Sequence, residues 1–205
     1  MSDLTTASPV SVANAALRLI GEMPIAALDD DREPARAARE AFGTAVERVL
    51  RLHPWRSALA RASLAAVSGP APPGFTAAFQ LPADFLRLVE TVPPTACSLE
   101  GNRLLANSAS LAIQYVRRTD DMASLSPDVR GVIEAEMAVE LSARLRSANT
   151  ALRREMMALR DERLAEARHA SAVESQQGRT GMESWVNTWD RGYDGAHPER
   201  PWERR

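Results

Sequence analysis

The chain has 205 residues, 45% of them hydrophobic, a formal charge of -2 at pH 7 and an isoelectric point near 6.0. That is enough apolar material for one sizeable core, and the near balance of charge argues against a protein that lives by gripping nucleic acid, which needs a concentrated basic footprint. No apolar run approaches the ~20 residues needed to cross a membrane and no basic–apolar signal pattern opens the chain, so a soluble protein folding in a reducing cytoplasm is predicted.

Ser8-Pro9 starts the first helix, since serine can cap and proline fits the first helical position. Ala13, Ala16, Leu17 and Ile20 repeat at helical spacing, and Gly21 is placed to end it, which predicts a helix over 9–20. After the acidic turn Asp29-Asp30-Asp31, Pro34 opens a second helix over 34–52. Ala38, Phe42, Ala45, Val46, Val49 and Leu50 form its apolar stripe, and Arg36, Arg39, Glu40, Glu47, Arg48 and Arg51 cover its other faces. Pro54 closes it by pushing the preceding residue out of helical geometry.

The stretch of about 55–118 changes character. Pro70, Pro72, Pro73, Pro82, Pro93 and Pro94, with Gly69, Gly74 and Gly101, break it into short pieces. Phe85 to Val92 and Leu111 to Val116 read as strands, and Glu100-Gly101-Asn102-Arg103 reads as a hairpin turn. Ser57 to Val67 is alanine-rich and fits helix or strand. A small antiparallel sheet or two hairpins satisfies this stretch.

Ser126-Pro127-Asp128 combines a cap, a first-position proline and an acid favourable to the helix dipole, predicting a helix over 127–146. Asn149 or Thr150 caps another over 150–173 through Leu152, Met156, Leu159, Leu164 and Ala167. The fold class is therefore α+β, mainly α, with long helices, a small antiparallel β middle region and an extended C-terminal arm. Residues 1–175 form the domain, and residues 176–205 form the arm. Beyond Ser175 four glycines and two prolines leave no sustained apolar period, yet Trp185, Trp189 and Trp202 lie there. Trp185, Trp189 and Tyr193 recur every four residues, which aligns them on one side of a short helical turn. Large aromatic surfaces in so polar a segment suit an interface, so these three with Trp202 are the candidate partner-binding residues.

All 25 basic residues are arginine, whose forked guanidinium suits subunit contacts. Arg153, Arg160, Arg163 and Glu166 on the mixed-charge faces of the last helix are the candidate subunit-interface residues. No catalytic pattern emerges: there is no glycine-flanked serine, phosphate loop or dinucleotide-binding glycine pattern. His53, His169 and His197 are scattered, and the lone Cys97 reads as a small hydrophobe, so no metal or cofactor is expected. Asp84 and Glu90 could be called paired carboxylates, but any protein of this composition offers such pairs.

Three blocks carry information beyond class. Leu19-Ile20-Gly21-Glu22, His53-Pro54-Trp55 and Leu81-Pro82-Ala83-Asp84 follow one another in that order, with the long helix between the first two and the Glu100-Gly101 turn, the Tyr115 strand and two closing helices after them. In this order and spacing the chain resembles the phage tail tubular protein A family, the head-to-tail adaptors of short-tailed phages, over roughly residues 10–175. The resemblance implies a non-enzymatic virion protein, assembled in the host cytoplasm, that forms a dodecameric ring at the head–tail junction. Its partners would be the portal protein above and the tail nozzle or next tail ring below, with double-stranded DNA passing through the lumen without sequence recognition. Two rival classes are a tail-associated cell-wall hydrolase using Asp84 and Glu90, and a DNA-associated helical protein using the arginine-rich 144–168 stretch. Glu155, Asp161, Glu162 and Glu166 weaken the latter.

Overall fold

In the computed structural model, residues 7–191 are described, with side chains through Glu174. Helix α1 (Pro9–Leu19) begins with a reciprocal serine cap: the Ser11 amide donates to Ser8 Oγ at 3.2 Å and the Ser8 amide donates to Ser11 Oγ at 2.9 Å. It ends in a turn that only a residue tolerant of positive φ can make. Gly21 sits at φ 72, and the Glu22 amide reaches back to the Leu17 carbonyl at 2.9 Å. Asn14 then clamps the following loop, accepting from the Ile25 amide and donating to its carbonyl, which places Ile25 in the core.

Helix α2 (Glu33–Leu52) buries the alanine-rich stripe Ala35, Ala38, Ala41 and Ala45 with Val46, Val49 and Leu50. Small residues on that stripe let α3 (Pro127–Leu145) lie close against it. Pro54 ends α2 and delivers Trp55 into the core, 1% exposed, with its ring N–H donating to the Val49 carbonyl at 2.8 Å. His53 packs its ring on Trp55, 4.7 Å between centroids. Helix α4 (Thr150–Arg191) is capped by Asn149, whose Oδ1 accepts from the Leu152 amide. Leu152, Met156, Leu159, Leu164 and Ala167 bring its first half into the helical core.

The middle region forms two antiparallel three-stranded sheets. A 3-10 turn over Arg56–Ala58 leads into β1 (Leu59–Leu64), followed by β2 (Ala77–Gln80), β3 (Phe85–Val92), β4 (Cys97–Glu100), β5 (Arg103–Ala106) and β6 (Leu111–Arg117). The first sheet has the order β1-β6-β3 and the second β2-β5-β4. Strand β6 feeds two cores. Val116 points into the helical core, and Leu111, Ile113 and Tyr115 alternate with it into a second core shared with Phe79, Leu81 and Leu104. Past β1 the chain pairs with the edge of β2, the Val67 amide donating to the Ala78 carbonyl at 2.8 Å, and the proline-rich loop that follows borders Ala78 on the other face of the second sheet. Leu105 is buried beneath it.

The α+β class dominated by helices is what the sequence predicts. The ambiguous Ser57 to Val67 stretch is mostly strand, because Ala60, Ala62 and Leu64 are needed against the second core while the backbone pairs with β6. Ser126 takes the N-cap position of α3, but its hydroxyl makes no capping bond. The last helix runs on to Arg191 rather than stopping at 173. No proline interrupts that stretch, and each of Gly178 and Gly181 costs a helix only about 1 kcal/mol relative to alanine. By backbone contacts the chain divides into a unit ending at Arg168 and a second from His169.

Candidate assembly interface

Arginines tie the helices together. Glu136, in the middle of α3, is 1% exposed and carries a charge among Ala135, Met137 and Ala138. A buried carboxylate survives only if its oxygens are met by cations or donors. Here one oxygen accepts from Arg48 of α2 and the other from Arg160 of α4 at 3.0 Å. Arg48 also holds Glu140 at 3.1 Å, and Arg160 holds Asp161 at 2.7 Å. Burial pushes the carboxyls of Glu134 and Glu140 above their usual range, and their arginine neighbours oppose it.

Arg163 donates to the Gly131 carbonyl at 2.9 Å and pairs with Glu134 at 3.4 Å. Arg144 ties α3 to Glu33 and Glu40 of α2. Arg146 reaches Glu22 and the Gly21 carbonyl at the end of α1. Arg118, just past β6, pairs with Glu47 of α2 at 3.0 Å.

This placement corrects part of the sequence reading. Arg160 and Arg163 do not lie on an outer face; their guanidiniums turn inward onto α3 because Glu136, Glu134 and an α3 carbonyl need donors. Arg153 and Glu166 are exposed, and their side chains make no hydrogen bond or ion pair among the described residues. Trp185 and Trp189 fall on the helical backbone of α4, with side chains outside the described residues. Tyr193 and Trp202 lie outside the described residues altogether. Sequence reading passed over Glu136. The available signal was its helical spacing: of the two carboxylates between Ile133 and Met137, Glu136 lies four residues after Val132 and three after Ile133, on the apolar side of α3.

Asp84 and Glu90 are not a pair of reacting carboxylates. Asp84 accepts from the Tyr115 hydroxyl at 2.9 Å, which fixes the turn into β3, while Glu90 stands exposed beside Gln114. Burial and that bond push the Tyr115 hydroxyl up to about 12. Among the described residues no three His, Cys, Asp or Glu side chains gather as a metal site, and no helix is long and apolar enough to cross a membrane.

Two open clefts meet on the exposed side of α2. One, about 460 Å³, is lined by Phe42, Gly43, Val46, Ala83, Asp84, Arg118, Thr119 and Asp120. The other, about 470 Å³, is lined by Arg39, Glu40, Gly43, Thr44, Glu47, Arg48, Arg51 and Arg118. They share Gly43 and Arg118, so together they form one groove across the helix. Shallow and lined by both signs of charge, the groove fits a macromolecular surface better than a small molecule, whose sites are concave and mostly apolar. No protein-family model matches the chain, and no curated protein matches it.

Proposed function

We propose that this chain is a structural head-to-tail adaptor of the tail tubular protein A type, forming a ring between the portal and the tail nozzle of a phage particle. The observation that supports the reading is where the three diagnostic blocks fall: each is a joint of one scaffold. Leu19-Ile20-Gly21-Glu22 is the left-handed stop of α1. His53-Pro54-Trp55 is the stop of α2 and the wedge between helices and sheet. Leu81-Pro82-Ala83-Asp84 is the turn into β3, pinned by Tyr115.

Arginine–carboxylate pairs link α2, α3 and α4 in that scaffold, with Glu136 held from both sides. In the ring, each subunit would present one face to a different face of its neighbour. A slightly acidic protein lets DNA slide, since its 25 arginines are outnumbered by 27 carboxylates and leave no net excess of cations to hold phosphates by counterion release. Residues 176–205, with Trp185, Trp189, Tyr193 and Trp202, would dock on the portal.

The test is the mass of the purified protein alone and after mixing with its portal protein. A ring-sized increment on the portal, visible as a collar by electron microscopy, is expected. A protein that ignores the portal at every concentration would overturn the proposal.

A further inference from the structure

Gly43 sits in the middle of α2, where glycine weakens a helix relative to alanine. Its φ is not in the left-handed region, and a Cβ built on it meets nothing within 4 Å. Nothing inside the subunit therefore requires glycine there. It forms the floor shared by the two clefts, and the flanking side chains of Arg39 and Arg51 are exposed with no hydrogen bond or ion pair among the described residues. The groove is an unpartnered face with an open floor and two unused cations at its ends.

We infer that this groove is a docking site for a second copy of the same chain, and that its occupant is the outward face of α4. That face offers Glu155, Glu162 and Glu166, all exposed and likewise without a bond among the described residues, with Ala158 between the first two. The spacings agree when the two helices run parallel. Arg39 precedes Gly43 by four residues, roughly 6 Å of rise, and Glu155 precedes Ala158 by three, roughly 4.5 Å. Arg51 follows Gly43 by eight residues and Glu166 follows Ala158 by eight, roughly 12 Å in each helix.

Aligned so, Glu155 meets Arg39, Ala158 meets Gly43 and Glu166 meets Arg51. Glu162 falls level with Glu47, where Arg118, already holding Glu47, is the cation available to both. Absence of a side chain at 43 lets the helices approach closely enough for the charges to meet. Because groove and α4 face are different patches, the contact is heterologous and generates a closed ring or an open filament.

This inference rests on the adaptor reading for its setting but is tested without a portal. In a Cys97→Ala background that keeps Gly43, full-length Arg39→Cys and Glu155→Cys proteins are mixed at high concentration under mild oxidation. The mixture should give a covalent dimer while each protein alone stays monomeric on a denaturing gel. The chain carrying both cysteines should give a ladder. No dimer in the mixture, or dimers of Glu155→Cys alone, would overturn the contact.

Charge supplies a second arm that does not depend on oxidation. Arg39→Glu should weaken self-association by at least about ten-fold without lowering the melting temperature, and mixing with Glu155→Arg should restore it. Failure of the restoration counts against the parallel register. Portal attachment without the ladder would sink this contact alone, and the ladder without portal attachment would sink the adaptor reading alone.

Discussion

Replacing Arg160 by alanine removes the guanidinium that meets one oxygen of Glu136, a carboxylate only 1% exposed. Removing one partner of a buried ion pair typically costs ~3–5 kcal/mol, most of it the penalty of an uncompensated buried charge. Two features reduce that here: Arg48 stays on the other oxygen, and Arg160 is itself 23% exposed, so water can enter the vacated space. The expected loss is about 2–3 kcal/mol. Arg153→Ala, on an exposed side chain of the same helix with no bond to lose, should cost under about 0.5 kcal/mol. Urea unfolding of the isolated protein at neutral pH, followed by far-ultraviolet circular dichroism, reads both as midpoint shifts at constant slope. Arg160→Glu should be worse than Arg160→Ala, since it sets a second carboxylate against Glu136. If Arg160→Ala and Arg153→Ala lost equally little, the buried carboxylate would not depend on α4 and the reasoning would fail.

Other outcomes follow from the same structure. Trp55→Ala should cost about 3–5 kcal/mol, because it empties a fully buried indole site and orphans the Val49 carbonyl, and calorimetry checks it. Tyr115 should ionise near pH 12 rather than 10, followed by absorbance at 295 nm, and Tyr115→Phe should remove that late component. Since the folded state keeps this proton where the unfolded state releases it, the associated stability is complete below pH 10 and is lost between 10 and about 12. Deleting residues 176–205 should leave the cooperative melting of the remaining chain in place and abolish portal attachment. A truncated protein that still binds the portal at full strength would remove the docking role from Trp185, Trp189, Tyr193 and Trp202.

All four helix starts and the stops of the first three were legible because they depend on local chemistry: Ser8-Pro9, Gly21, Pro54 and Pro127 act within a few residues of themselves, whereas nothing local ends the last helix at 173. The Phe85–Val92 and Leu111–Arg117 strands were legible for the same reason, with prolines bounding the first and β-type residues filling both. Pairing was not legible. That β6 lies between β1 and β3 depends on contacts dozens of residues apart, which no window of sequence contains. The inward turn of Arg160 and Arg163 was missed because a charged helix face looks the same whether water or a buried carboxylate lies opposite. Gly43 was overlooked because a single glycine in a helical period tells nothing until the space above it is known to be open.

Strand β6 has a mechanical consequence. Its backbone is held on both sides, by β1 and β3, while Leu111, Ile113 and Tyr115 on one face belong to the second core and Val116 on the other belongs to the helical core. Neither core can loosen without exposing one face of this strand, and a shift of a single residue would send Val116 and Tyr115 to the wrong sides. Two small cores thereby melt as one, and the amides of Leu111–Arg117 should be the last in the subunit to exchange with solvent. Such a shared beam means that pull applied to the sheets is borne by the helices as well.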